Sequence, residues 1–108
     1  LANTSLKIEI IEAGEPGLFV KLSGELDQLT VQQLKEKLRD LAAEKADQLV
    51  FDLENIEFMA SAGLAVFAAY YEIYQNNNSG QILKIIKCPE NVRRIFDLTR
   101  TTEIFQVS

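Results

Sequence analysis

The apolar residues of this chain change period from one stretch to the next, and that change limits the fold more than any other feature. In "LKIEII" Leu6, Ile8 and Ile10 recur at every second residue, and in "LFVKLSG" Leu18, Val20 and Leu22 do the same. Alternation of this kind lays one face of a strand on a core. Gly14, Pro16 and Gly17 punctuate the connection, so the two stretches read as an antiparallel pair. The period then lengthens. "TVQQLKEKLRDLAAE" spaces Leu34, Leu38 and Leu41 at helical intervals, and Thr30 followed by Gln33 has the form of a capping box.

A short apolar strand, roughly Gln48 to Leu53, comes next and is expected at the centre of the sheet, with Asp52 near its C-terminal end. From about Ala62 to Tyr74, "AGLAVFAAYYEIY" puts Leu64, Phe67, Ala68 and Tyr71 at helical spacing with no charge before Glu72. A helix this apolar is expected to lie mostly buried against a sheet. "QNNNSGQ" ends it, and "QILKIIKC" reads as another strand. Pro89 fits the first turn of a helix, "PENVRRIFDLT", whose Val92, Ile95, Phe96 and Leu98 are expected to cover the sheet. "EIFQV" reads as a short final strand at an edge. Strands alternating with helices after an opening hairpin predict an α/β fold with a mixed sheet and right-handed crossovers.

Length and charge narrow the function. With 108 residues, 47% of them hydrophobic, the chain suits one core, and a single domain over 1–108 is expected. No apolar run approaches the ~20 residues that cross a bilayer, and "LANTSLKIEI" has neither a basic start nor an apolar signal core, so a cytoplasmic location without membrane insertion is expected. A net charge of −5 argues against nonspecific binding to nucleic acid or anionic membranes, and the pair Arg93 and Arg94 does not reverse it. The chain has no histidine, which removes the common general base, the Ser-His-Asp triad and the Cys-His pair. Cys88 is the only cysteine and reads as a packed or partly packed thiol. Asp52, Glu54 and Glu57 lack metal-ligand spacing and read as a solvated acidic rim, two of them in an irregular segment. Tyr70, Tyr71 and Tyr74 read as core and rim packing, and Arg93 and Arg94 as solvent-facing. No catalytic, metal or cofactor site assembles from these residues.

One hydroxyl, Ser61, stands within "FMASAGLAVF", where strand, sharp turn and helix meet. Sites in open α/β sheets gather at such corners. A nucleophile elbow would want glycine at 59, where Met59 stands, and a base that the chain lacks. Two compatible readings of Ser61 stand. In one, its oxygen accepts a backbone N–H and caps the second helix, worth ~1 kcal/mol against alanine. In the other, the helix start accommodates an added phosphate, whose charge rejects an acidic or apolar partner.

The segments "LSGELDQLT", "LVFDLENIEFMASAGL" and "PENVRRIFDLT", in this order and spacing, resemble the STAS domain of bacterial anti-sigma factor antagonists, and the resemblance covers almost the whole chain. It implies a STAS-like mixed four- to five-stranded sheet with helices packed mainly on one face. It also implies a regulatory binding protein, not an enzyme, that binds an anti-sigma factor and so frees a sigma factor. The anti-sigma factor of such systems is often a serine kinase that phosphorylates the antagonist. The family's aspartate-serine-serine-glycine run falls on Ala60, Ser61, Ala62 and Gly63, which makes Ser61 the implied phosphoacceptor. The aspartate is replaced by Ala60, the second serine by Ala62 and a following glycine by Ala65. The family's acidic loop matches Gly24, Glu25 and Asp27. The implied partner-binding set is therefore Glu25, Asp27, Ala60, Ser61, Ala62, Gly63 and Leu64, with a solvated turn acid as the plain alternative for Asp27. A phosphorylation-independent STAS subunit, acting as a scaffold in a signalling assembly or beside a membrane transporter, is the alternative function.

Overall fold

The computed structural model describes residues 6–11 and 17–108. Four strands, β1 (Leu6–Ile11), β2 (Gly17–Leu26), β3 (Gln48–Met59) and β4 (Ile82–Ile86), form one sheet in the order β1-β2-β3-β4. β1 and β2 run antiparallel, while β2, β3 and β4 run parallel, so the sheet is mixed and β3 is internal, as the periodicity predicts. Helices α1 (Val31–Asp40), α2 (Ser61–Asn77) and α3 (Glu90–Leu98) complete the fold, with a short 3-10 turn at Ala43–Lys45 after α1. Gly14 and Pro16, expected to mark the first connection, and "LAN" lie outside the described residues.

Alternation sorts the sheet into two faces. Val20, Leu22, Leu49, Phe51, Leu53, Leu83 and Ile85 are buried on the face that receives the helices. Val31, Leu34 and Leu38 of α1, Val66 and Phe67 of α2, and Val92 and Phe96 of α3 are buried with them in one core cluster. The opposite face carries Phe19, Lys21, Val50 and Lys84, all half-buried. Asp52, on that face, is 2% exposed. Its Oδ1 accepts the Glu54 N–H at 2.9 Å and its Oδ2 lies 3.9 Å from Nζ of Lys87, just past β4, so Asp52 is enclosed and not part of a solvated rim.

At the centre of the helix-covered face Phe67 meets Phe51 with ring centroids 4.7 Å apart, Phe96 at 6.2 Å and Phe105 at 6.4 Å. Aromatic rings at these separations attract beyond their burial alone. Tyr74, buried as expected, donates its hydroxyl proton to the Ala43 carbonyl at 2.7 Å and ties the end of α2 to the turn after α1. Burial raises the Tyr74 phenol well above the ordinary tyrosine range, so the donor form persists. Tyr70 and Tyr71 are half-buried at the rim, and so is Cys88, whose thiol burial pushes up to about 11.

Several expectations are corrected. β3 runs on to Met59 rather than stopping near Leu53, so Glu54 and Glu57 belong to a strand and not to an irregular segment. The reason is a pair of bulges. Lys21 and Ser23 of β2 pair with Asp52 and Asn55, and Gly24 and Glu25 with Ile56 and Phe58, so β3 gains one residue at each shift. Gly24 lies between the shifts with φ 104, a conformation that glycine takes without steric cost. "EIFQV" is not a strand. Phe105 and Val107 are buried in alternation, but the backbone turns, and Gln106 has φ 51. The Phe105 carbonyl still accepts the Ile85 N–H, and the Ser108 N–H reaches the Ile85 carbonyl at 3.0 Å, so this tail closes the β4 edge without a ladder.

Pro89 precedes α3 as its extended N-cap residue, and Leu98, expected to cover the sheet, is 77% exposed at the helix end. The Thr30–Gln33 capping box does not form: Thr30 makes no side-chain cap bond to α1, and Gln33 is exposed. α2 is longer at both ends than the Ala62–Tyr74 span, and its Ala65, Ala68 and Ala69 are exposed, so it is less buried than its composition suggests.

Candidate functional site

The C-terminal ends of β2 and β3 lie side by side, with Leu26 paired to Met59, and the chain leaves both strands into helix starts. After β2, side-chain hydrogen bonds of Asp27 and Thr30 fold the loop onto itself. Asp27 Oδ1 accepts the N–H groups of Leu29 and Thr30, each at 2.9 Å. Thr30 Oγ1 accepts the Asp27 N–H at 2.9 Å and donates to the Glu25 carbonyl at 2.7 Å. Thr30 is 4% exposed, so its hydroxyl is spent on the loop rather than on capping α1. The Thr30 N–H bond foremost, and then that of Leu29, hold the Asp27 carboxyl below its ordinary value of 3.8 against a desolvation effect that opposes them. A lowered folded value means that this contribution is complete above 3.8 and lost as pH falls through the folded value.

After β3 the chain turns at Ala60, extended at φ −91 and ψ 168, and α2 begins with Ser61. This corrects one reading of Ser61. Ala60 occupies the N-cap position, its carbonyl accepts the Gly63 N–H at 2.9 Å, and no side chain caps the helix. Ser61 is instead an exposed residue of the first turn. That turn carries no acid.

The two segments are fastened together. The Ala60 N–H donates to the Leu26 carbonyl at 2.9 Å. Gly63, buried, lies so close to its neighbours that a Cβ there would sit 2.7 Å from Leu26 Cδ2 and 3.0 Å from Met59 Cγ. Both side chains are fully enclosed and have no room to withdraw. The structure therefore joins Glu25 and Asp27 with Ala60, Ser61, Ala62, Gly63 and Leu64 at one end of the sheet. Gly63 serves that arrangement from inside, while Ser61 is exposed and Ala60, Ala62 and Leu64 are half-buried.

Three residues at this end escaped the sequence reading. Leu29, 75% exposed, rides on the Asp27 loop, and Phe58, half exposed, precedes the corner. Neither has a periodic neighbour that would have marked it. Thr30 had a signal in its spacing from Asp27, but that spacing was absorbed by the capping-box pattern. Asn91 Nδ2 donates to the Glu57 carbonyl at 3.1 Å and brings the start of α3 to the same end. Arg93 is half-buried and Arg94 exposed. Among the described residues, no group of three or more acids and cysteines is placed to hold a metal ion, and no helix is long and apolar enough to cross a membrane.

Substituting Thr30 with valine keeps the shape and removes the hydroxyl's bonds, among them those with the Asp27 N–H and the Glu25 carbonyl. The expected loss is about 1–3 kcal/mol in denaturant unfolding. A loss below that range would mean that water replaces the hydroxyl and the loop is not held as described.

Residues 7–108 match the model of the STAS domain family. An anti-sigma-B factor antagonist of Bacillus subtilis (strain 168) is 32% identical over 98 residues, covering 91% of this chain and 87% of that protein. The crystal structure of an anti-sigma factor antagonist from Mycobacterium paratuberculosis superposes with a TM-score of 0.84 at 27% identity, over 98% of this chain and 87% of that one. The anti-sigma factor antagonist SpoIIAA in its unphosphorylated form shares the fold, with a TM-score of 0.78 at 16% identity over 94% and 88% of the two chains.

Proposed function

The chain belongs to the STAS domain family, and on that premise we propose that it is an anti-sigma factor antagonist: a cytoplasmic binding regulator, not an enzyme, that acts as a single domain. Its partner is an anti-sigma factor, whose capture frees a sigma factor, and the bound surface is the Asp27 loop with the Ala60–Leu64 corner. The observation that carries this reading is the fastening of those two segments. Ala60 bonds to Leu26, Gly63 packs on Leu26, and Asp27 and Thr30 lock the loop, so one preformed surface is presented with the exposed Ser61 in it. A surface that does not have to order on binding keeps the affinity that ordering would consume.

In this reading Ser61 is the phosphoacceptor and the anti-sigma factor is its kinase. A phosphate would bring about −1.5 to −2 charges to a place that the partner must cover, and binding would end. The replacements at Ala60 and Ala62 favour a second reading, a phosphorylation-independent STAS scaffold subunit, because they take away the polar neighbours of the hydroxyl. The deciding experiment mixes the protein with the purified anti-sigma factor of the same genome, with and without ATP, and follows complex formation and the mass of the Ser61 peptide. A complex that ATP dissolves as Ser61 gains phosphate is the expected result. A stable complex with unmodified Ser61 favours the scaffold, and no complex overturns the proposal.

A further inference from the structure

A helix on the surface of a domain usually turns a polar face outward, and one that is apolar all round is normally enclosed. α1 follows the rule: Gln32, Lys35, Glu36, Lys37, Arg39 and Asp40 are exposed. α2 breaks it. Between Ser61 and Glu72 it has no charge, yet Ala65, Ala68 and Ala69 are exposed and Leu64, Tyr70 and Tyr71 only half-buried. Val66, Phe67 and Tyr74 of α2 are buried in the core, and Leu64, Tyr70, Tyr71 and Ile73 pack against its edge, so the exposed alanines are the apolar positions of this helix that the fold leaves uncovered.

Of the exposed alanines, Ala65 and Ala69 face a groove of about 480 Å³ beside α1, and Ala68 lies outside it. Ala65, Ala69, Tyr70 and Ile73 line it from α2, and Lys35 and Arg39 from α1. Glu44 also lines it, which leaves two cations against one anion. That balance is opposite to the net charge of −5 of the whole chain. Ala65 is one helical turn from Ser61, so the groove continues the corner along the same helix.

We propose that this groove is the second half of the partner interface. It receives an amphipathic helix with acidic flanks from the same anti-sigma factor that covers Ser61, and the inference rests on the function proposed above. The apolar side of that helix covers Ala65, Ala69, Tyr70 and Ile73, and its acids pair with Lys35 and Arg39. Steering by these cations makes association sensitive to salt. An apolar groove entered by a helix is a recurrent mode of recognition.

The test titrates the anti-sigma factor of the same genome with the wild-type protein and three variants whose melting temperatures are checked first: Lys35→Glu with Arg39→Glu, Ala69→Arg, and Ala68→Arg. Ala68 is exposed outside the groove and controls for bulk and charge. The double variant and Ala69→Arg should each weaken binding at least about tenfold, with Ala68→Arg within about twofold, as expected where energy concentrates in a few contacts. The double variant should also lose most of the salt dependence. Groove variants that bind like the wild type, while Ser61→Asp does not bind, overturn the groove and spare the proposed function. A wild-type protein that does not bind overturns both. A wild-type dimer in sedimentation that Ala69→Arg splits assigns the groove to a second copy and also overturns the proposal.

Discussion

Replacing Ser61 with aspartate is expected to weaken binding to the anti-sigma factor by about thirtyfold or more, the cost of covering an unpaired charge. Stability is expected to move the other way. Ser61 is exposed in the first turn of α2, and that turn holds no acid. An anion added there meets the positive end of the helix dipole and stabilises the fold by about 0.3–1 kcal/mol. Damage to the fold would lower affinity and melting temperature together, whereas a switch lowers affinity alone. Ser61→Ala should bind within about twofold of the wild type, since removing an exposed hydroxyl leaves no buried group unpaired. Calorimetric titration with thermal melting of the same samples reads both quantities. An aspartate variant with wild-type affinity would show that the partner does not cover this corner.

Truncating Phe67 to alanine is expected to cost about 3–5 kcal/mol, a large part of the stability of a domain this size. Phe67 is fully buried, and its ring touches β3 through Phe51, α3 through Phe96 and the C-terminal tail through Phe105. No other aromatic ring joins all three. Phe96 and Phe105 also contact each other at 5.9 Å, so the cavity opens between rings that are held by their own partners and cannot collapse fully. Denaturant unfolding measures the loss. A cost under 2 kcal/mol would mean that the neighbours close the space and that the cluster is not the centre of the core.

The fold was readable wherever burial followed a regular period. Leu6, Ile8 and Ile10 against Val20 and Leu22, and Leu34 with Leu38, behave as alternation and helical spacing predict. Reading failed where the backbone departed from its period. In β3 the buried residues after Leu53 are Ile56 and Met59, spaced by three because of the bulges, and a strand with that spacing does not look like one. Phe105 and Val107 show the opposite failure, a strand-like alternation on a turning backbone. The candidate site residues rest on resemblance to a family, since no local pattern links Asp27 to Ser61. What joins them is the Leu26 carbonyl and the contact of Gly63, both tertiary. The exposure of Ala65, Ala68 and Ala69 was not legible either, because an apolar helix reads as buried from its composition alone.

The approach of Gly63 to Leu26 also constrains descent. A larger residue at 63 forces Leu26 or the backbone around it to shift, so the two segments are coupled. Duplicated copies of this chain in one genome would therefore keep the same backbone corner, and they would stay apart from one another's partners through outward side chains. Leu29 and Phe58 are exposed beside this corner, and on the function proposed above crosstalk between parallel signalling lines would be written there.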